Sequence, residues 1–100
     1  MIHAVFARDY SAFSLSGHAG YAEAGADIIC AAVSAMANLT CNAAEAFGAQ
    51  AEVCETEQDA RLSYQLQVPC PEAQKILAAF HQELQQLAMQ YPKHIRVTEN

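Results

Sequence analysis

Residues 27–48 read DIICAAVSAMANLTCNAAEAFG and predict one long helix. Asp27 is a favourable N-cap residue, and Gly48 is the residue type that commonly follows the last helical turn. Between these two residues the apolar side chains recur at steps of three and four, the spacing of one helical face. That inner face is predicted to contain Ile29, Val33, Met36, Leu39 or Thr40, Ala43 and Phe47.

The sequence on either side of this helix predicts two strand hairpins, a second helix and a final strand. Alternating apolar and polar residues, separated by short polar turns, predict strands over residues 2–8, 12–17, 50–56, 61–68 and 94–98. The alternation in the fourth strand predicts a buried side made of Leu62, Tyr64, Leu66 and Val68. Pro71 is placed to open the second helix, and Pro92 stops it. The order ββαββαβ predicts an α+β fold, with two helices packed on one face of a largely antiparallel sheet.

The length of the chain fits one domain, residues 1–100, and residues 17–27 are expected to form a mobile loop within it. Three of the four glycines lie in this segment, which has no apolar periodicity. Apolar residues make up 53% of the chain, but 21 residues are alanine, so the core is expected to be thin. A domain of this size buries only about 60–65% of its unfolded surface. A symmetric partner covering one face would add stability, and we therefore expect a homodimer.

The charge of the chain indicates the kind of partner it binds. Eleven acidic residues against five Lys and Arg give a formal charge of −6, and the absence of a basic cluster in the sequence disfavours direct nucleic-acid binding. A basic protein or peptide is better matched. The longest apolar uncharged stretch, taken as residues 28–39, is shorter than the ~20 residues of a membrane span, and the chain begins without a secretory signal pattern. We expect a cytoplasmic protein that does not cross a membrane.

One pair of residues carries a chemical signal. His18 lies in the glycine-rich segment, and twelve residues later Cys30 falls in the first turn of the predicted helix. Unpaired backbone amides and the positive end of the helix dipole favour a thiolate at that position, and a thiolate is a nucleophile. His18 could pair with it as a cation and then give its proton to the amine that leaves during acyl transfer. The amides of the same turn, together with those of the loop, could bind the developing oxyanion.

The same residues allow a purely structural interpretation. Cysteine is among the most buried residue types, so a Cys on an apolar helix is commonly part of the core. The carboxylate of Asp27 would also offset part of the dipole. A histidine in a glycine-rich loop has no obvious packing role, however, and Gly17, Gly20 and Gly25 indicate a backbone that approaches another group closely or moves.

The segments SGHAGYA, residues 16–22, and GADIICAAVSAM, residues 25–36, resemble the signature of the ribosomal-processing cysteine protease family, Prp. The resemblance implies a catalytic dyad with Cys30 as the nucleophile and His18 as the proton donor. It also implies a small bacterial cytoplasmic homodimer that removes the N-terminal extension from a precursor of a large-subunit ribosomal protein. Such a substrate is strongly basic, which agrees with the acidic charge of the chain.

Four further residues in the matched segments are candidates for supporting the dyad. Asp27 and Ser34 fall on motif positions, and Ser34 follows one turn after Cys30 on the same helix face. Either could orient the dyad, with helix capping and packing as the simpler roles. Gly17 and Gly20 flank His18 and could support the loop that carries it.

The remaining cysteines and histidines do not predict a second site. The other cysteines have no CxxC spacing and are expected to be structural: Cys41, Cys54 and Cys70. Cys41 lies three turns from Cys30, roughly 16 Å along the helix axis, which is too far for a disulfide. The other histidines are expected at the surface or in hydrogen-bonded positions, with His81 on a mostly polar helix face: His3, His81 and His94. No metal site and no cofactor are expected.

Two functions of different classes remain open from the sequence. A cysteine endopeptidase would use Cys30 as a thiolate. A non-catalytic acidic binding module would instead grip a basic ribosomal protein or a ribosome-assembly intermediate through residues 17–27, with Cys30 buried and inert. Only the first predicts that one of the four thiols reacts far faster than the others with an alkylating reagent at pH 6.

Overall fold

The seven predicted elements occur in the predicted order. A computed structural model describes residues 1–18, 20, 27–58 and 60–100 of the chain. The elements in this part of the chain are β1 (Ile2–Phe6), β2 (Ala12–Ser16), α1 (Ile28–Ala46), β3 (Ala51–Thr56), β4 (Arg61–Leu66), α2 (Pro71–Gln90) and β5 (Ile95–Glu99). Most strands differ from the prediction by one or two residues at an end, where backbone pairing stops before the alternation does.

The five strands form one sheet in the order β3-β4-β2-β1-β5. All neighbours are antiparallel except β1 and β5, which run parallel because α2 carries the chain back to the start of the sheet. The register places Phe13 opposite both Phe6 and Tyr64 on neighbouring strands. The predicted α+β fold with a largely antiparallel sheet is confirmed.

The core lies between one face of the sheet and the two helices. Alternate strand residues point into it, and they are Ile2, Ala4, Phe6, Phe13, Leu15, Tyr64, Leu66 and Ile95. The buried residues of α2 are Ala73, Leu77, Phe80, His81 and Leu84. The opposite face of the sheet is polar, as the alternation predicts for β4. Val68 does not belong to the buried side, because β4 ends at Leu66 and leaves Val68 exposed.

The inner face of α1 differs in part from the sequence prediction. Its buried residues are Ile29, Val33, Ala37, Thr40 and Ala44. Thr40 is buried and donates its hydroxyl to the carbonyl of Met36 at 2.7 Å, whereas Leu39 is 69% exposed. Phe47 is 63% exposed because the helix has already ended there, followed by Gly48 with φ of 87°. The buried residues in the second half of the helix, Ala37, Thr40 and Ala44, are small, and α1 packs most closely against α2.

By length and composition alone, α1 would be apolar enough to cross a membrane, with a mean hydropathy of 1.3. The uncharged stretch does not end at residue 39, as predicted, but continues to Ala44. Ile29, Val33 and Ala37 of this helix belong to the core of the domain. The predicted mobile loop at residues 17–27 lies largely outside the described residues, which there include only residues 17, 18, 20 and 27.

Candidate active site

The first turn of α1 is fixed by a buried carboxylate. Asp27 is the N-cap with φ of −79° and ψ of 100°, and it is only 8% exposed. Its Oδ1 accepts hydrogen bonds from the amides of Ile29 and Cys30, both at 3.0 Å. Cys30 is thus held at the third helical position, half-buried against the core. The predicted N-cap and the position of Cys30 are both present.

The same two hydrogen bonds correct one expectation. The amides of the first turn were expected to be available for an oxyanion, but those of Ile29 and Cys30 already donate to Asp27. These two amides therefore already have an acceptor, whereas the loop amides included in the same expectation lie largely outside the described residues. Burial and two amide hydrogen bonds make Asp27 a structural anchor for the helix terminus.

The backbone before His18 is held by close contacts. Gly17 directly follows β2, has φ of 87° and donates its amide to the carbonyl of Ala60 at 3.2 Å. A Cβ atom at this position would overlap the carbonyl oxygen of Met1. Only glycine fits here, because both the left-handed conformation and the space exclude a side chain. The exposed side chain of His18 therefore leaves the sheet from a fixed point.

His18 and Cys30 line the same groove, a cavity of about 320 Å³ between the first half of α1 and the sheet. Ser34, one turn after Cys30, also lines it, and with Gly17 four of the sequence-predicted residues converge. Gly17 lies in its wall, and Gly20, with φ of 69°, has open space around it. The other residues lining the groove are Ile2, Leu15, Val33, Ala37, Asn38, Glu55, Thr56, Glu57, Ala60, Arg61 and Leu62.

Some of these residues were missed by the sequence analysis. Asn38 follows Ser34 by one further turn, so helical spacing from Cys30 would have found it. Glu55 and Glu57 have no such local signal. They lie at the end of β3 and in the turn after it, and only the pairing of β3 with β4 and of β4 with β2 brings them to the groove.

The other cysteines lie outside the groove that contains His18 and Cys30. All four cysteines are free thiols, and Cys41, Cys54 and Cys70 do not line the groove. The pKa of Cys41 is raised by burial and, to a lesser degree, by the nearby carboxylate of Glu55. Among the described residues, no three His, Cys, Asp or Glu side chains gather as metal ligands.

A model of one protein family matches nearly the whole chain. The family is described as the cysteine protease Prp, and the match spans residues 1–96. The chain belongs to the Prp family. The resemblance inferred from the two segments around His18 and Cys30 is thereby confirmed, and the family is one of cysteine proteases. The comparison with curated proteins finds no match.

Solved structures share the Prp fold over the whole chain. A ribosomal processing protease Prp from S. aureus, in complex with a covalently linked product peptide, is 24% identical with a TM-score of 0.92, covering 100% of both chains. The same S. aureus protease with a substrate peptide gives 23% identity, a TM-score of 0.85 and 100% coverage of both chains. A Streptococcus mutans protein is 29% identical over 99% of this chain and 93% of its own, with a TM-score of 0.84.

Proposed function

We propose that this Prp family member is an endopeptidase that removes the N-terminal extension from a large-subunit ribosomal protein precursor. Cys30 is the nucleophile and His18 the proton donor. The observation that carries the proposal is that these two residues, from a helix and from the end of a strand, line one groove. The S. aureus relative holds a covalently linked product peptide, and the groove that His18 and Cys30 line here has a volume of about 320 Å³.

The chemistry follows acyl transfer. The Cys30 thiolate attacks the carbonyl carbon of the scissile peptide bond and forms a C–S bond, and the negative charge moves to the carbonyl oxygen. When the C–N bond breaks, the protonated imidazole of His18 gives its proton to the leaving amine. The resulting thioester is hydrolysed by water, which gives a proton to the now neutral His18. This step releases the new carboxyl terminus and restores the thiolate.

Four residues support the two reacting groups in this proposal. Asp27 fixes the first turn of α1 by its hydrogen bond to the amide of Cys30. Ser34 faces the groove one turn later, where its hydroxyl can contact substrate or orient the dyad. Gly17 fixes the direction in which the chain continues from β2 to His18. Gly20, two residues after His18, has a positive φ and open space around it.

The direct test is the loss of the nucleophile. Cys30→Ala should abolish cleavage of a ribosomal-protein precursor, measured by mass spectrometry, and Cys30→Ser should be almost inactive. The fold should be unaffected, since alanine is well tolerated in a helix. Cys54→Ala is the matched control, because Cys54 is exposed on β3 outside the groove, and it should retain wild-type activity. A Cys30→Ala enzyme within about tenfold of wild-type turnover would remove Cys30 from the mechanism.

Thiol reactivity separates the protease from an acidic module that binds without cleaving. At pH 6, Cys30 should react with iodoacetamide far faster than the other three cysteines. His18→Ala should both lower turnover and slow this alkylation, because it removes the cationic partner of the thiolate. Uniform slow reaction of all four thiols would favour the binding module.

We also propose a homodimer. Leu39 and Phe47 expose large apolar side chains on and just after α1, and Val53 is half exposed on the edge strand β3. A second cavity, of about 420 Å³, lies between α1 and the edge strand β3 and is lined by residues that include Cys41, Glu45 and Val53. Such apolar surface is available for an interface with a second copy. Sedimentation as a monomer near 10.8 kDa at tens of micromolar (~50 μM) would contradict this.

The proposed compartment is the bacterial cytoplasm. Four free thiols and no disulfide partner among the described residues are typical of proteins kept in a reducing environment. An antibody against the chain should therefore detect it in the soluble cytoplasmic fraction after cell lysis, and recovery in a periplasmic or membrane fraction would contradict the proposal.

A further inference from the structure

The floor of the groove changes character across the sheet. Leu15 on β2 pairs with Leu62 on β4, and Leu62 pairs with Glu55 on β3. Directly paired residues point to the same face of a sheet, so these three form one row. All three line the groove that holds His18 and Cys30. The row is apolar at the central strands and acidic at the edge strand.

The carboxylate of Glu55 acts on the interior side of the sheet. Its charge raises the pKa of Cys41, a residue of α1, so the carboxylate lies close enough to that helix to affect it. Glu57, in the turn after β3, adds a second carboxylate to the same end of the groove. Both side chains are exposed to solvent and to anything that enters the groove.

The positive charge near these carboxylates does not neutralise them. Arg61 also lines the groove, but it pairs with Thr56 and so belongs to the opposite face of β4 from Leu62. Among the described residues, Arg61 has no carboxylate within 4.0 Å. The proposed His18 cation also lines the groove but is balanced by the Cys30 thiolate, so Glu55 and Glu57 outnumber the single guanidinium and form no direct ion pair with it.

From this row we infer that Glu55 and Glu57 form a subsite for a basic side chain of the substrate peptide, while Leu15 and Leu62 hold an apolar one. Neighbouring strands lie about 4.8 Å apart, so the row from β2 to β3 spans about 10 Å. The midpoint of Leu15 and Leu62 lies about 7 Å from Glu55 along this row. An extended peptide advances about 3.3 Å per residue and points alternate side chains to the same face, which places the two side chains two residues apart. This inference rests on the proposed peptidase function and assigns which peptides the groove selects.

Binding to the inactive enzyme tests the subsite without cleavage. The probes are fluorescein-labelled decapeptides of serine and glycine that contain one phenylalanine and one lysine. The lysine is placed one to six positions before or after the phenylalanine. A second set carries glutamate in place of lysine. Cys30→Ala should bind a lysine peptide of two-residue spacing roughly tenfold more tightly than its glutamate counterpart, measured by fluorescence anisotropy at low salt.

Charge reversal identifies the carboxylates responsible. Glu57→Lys, made in the Cys30→Ala protein, should abolish or invert the lysine preference, and Glu55→Gln should reduce it. Glu83→Lys is the matched control, because Glu83 is an exposed residue of α2 outside the groove and the reversal changes net charge equally. Equal effects of Glu57→Lys and Glu83→Lys, or equal binding of lysine and glutamate peptides, would overturn the inference.

Cleavage by the enzyme with Cys30 intact separates this inference from the proposed function. Cleavage of lysine and glutamate peptides at equal rates would overturn the subsite and leave the peptidase standing. Charge-selective binding without cleavage of any peptide, or of a ribosomal-protein precursor, would overturn the peptidase and leave the subsite as that of a peptide-binding groove.

Discussion

The two ends of strands β1 and β2 differ in character. At the groove end, where β1 begins and β2 ends, polar and charged residues line an open groove. At the opposite, aromatic end, packed rings fill the space. There Phe6 is fully buried, with ring centres 4.6 Å from His81 and 5.6 Å from Phe80. Tyr10, in the turn between β1 and β2, places its hydroxyl 2.8 Å from Nδ1 of His81. The contrast indicates that one end supplies stability and the other leaves a site open to solvent.

The aromatic end gains its rigidity from dense packing. The sequence analysis predicts His81 on a mostly polar helix face, yet its side chain is only 3% exposed. It contacts Phe6 of β1 and Tyr10 in the following turn, and its Nε2 lies 3.8 Å from the carboxylate of Glu99 on β5. The polar atoms of His81 thus have partners, and its ring packs on Phe6. A groove that admits a substrate cannot be packed in this way, because the substrate must enter it.

The largest effect on stability is expected at the aromatic end. Phe6→Ala removes a fully buried ring and should lower the free energy of unfolding by about 3–5 kcal/mol, measured by urea titration. Phe6→Leu should lose less and keep enough folded protein for assay. Below its unfolding transition, Phe6→Leu should bind and cleave peptides like wild type. A loss of turnover without a loss of stability would break the division between the two ends.

At the groove end, one backbone position should affect both stability and activity. Gly17→Ala forces a side chain into a left-handed conformation and against the carbonyl of Met1, so we expect a loss of about 2–3 kcal/mol. Turnover should fall as well, since the backbone that carries His18 must shift. Gly48→Ala is the control, because its φ is also 87° but no atom lies within 4 Å. It should cost about 1 kcal/mol and leave turnover unchanged; equal effects would contradict the role of Gly17.

Local features of the chain are predictable from the sequence, whereas features that depend on long-range strand pairing are not. Asp27, Gly48 and Pro71 gave the helix ends correctly, because capping and proline geometry depend on neighbours in the chain. Cys30 and His18 were found through a local motif. Glu55 was not found, because its place in the groove depends on strand pairing across the sheet.

The burial of particular side chains was also hard to predict from sequence. Periodicity left Leu39 and Thr40 as alternatives for the same inner position of α1, and the smaller, more polar Thr40 is the buried one. Thr40 can be buried at this position because its hydroxyl is satisfied by the helix itself. The burial of His81 likewise depends on Tyr10 and Phe6, which are distant in sequence.

A smaller effect should follow from a single atom at the aromatic end. Tyr10→Phe removes the hydroxyl beside Nδ1 of His81 and leaves a buried ring nitrogen without that partner, at a cost of about 1–2 kcal/mol. The double variant with His81→Phe should cost less than the sum of the two single variants, measured as a double-mutant cycle by urea unfolding. Additive losses would show that the two side chains are not coupled.

The smallest effect concerns a thiol between the two ends. Burial, more than the charge of Glu55, raises the pKa of Cys41 above its ordinary value of 9.0, and alkylation requires the thiolate. Half-buried Cys41 should therefore react with iodoacetamide more slowly at pH 8 than exposed Cys54, measured by mass spectrometry of tryptic peptides. Glu55→Gln should speed the reaction of Cys41 about twofold, and Glu83→Gln should not.

The same shift in Cys41 predicts how stability depends on alkaline pH. Because the folded state raises the pKa, the unfolded chain releases the thiol proton first, and the free energy of unfolding should fall as the pH rises above about 9. The pKa of Tyr64 is also raised, chiefly by burial, and it contributes in the same direction above about pH 10. Cys41→Ala should therefore reduce the fall between about pH 9 and 10 but leave the part due to Tyr64. Two results together would contradict this account: an unchanged pH profile of stability in Cys41→Ala, and equal alkylation rates of Cys41 and Cys54. They would show that neither burial nor the Glu55 carboxylate raises the pKa of the Cys41 thiol. The charge of Glu55, at the acidic end of the groove, would then have no effect on α1.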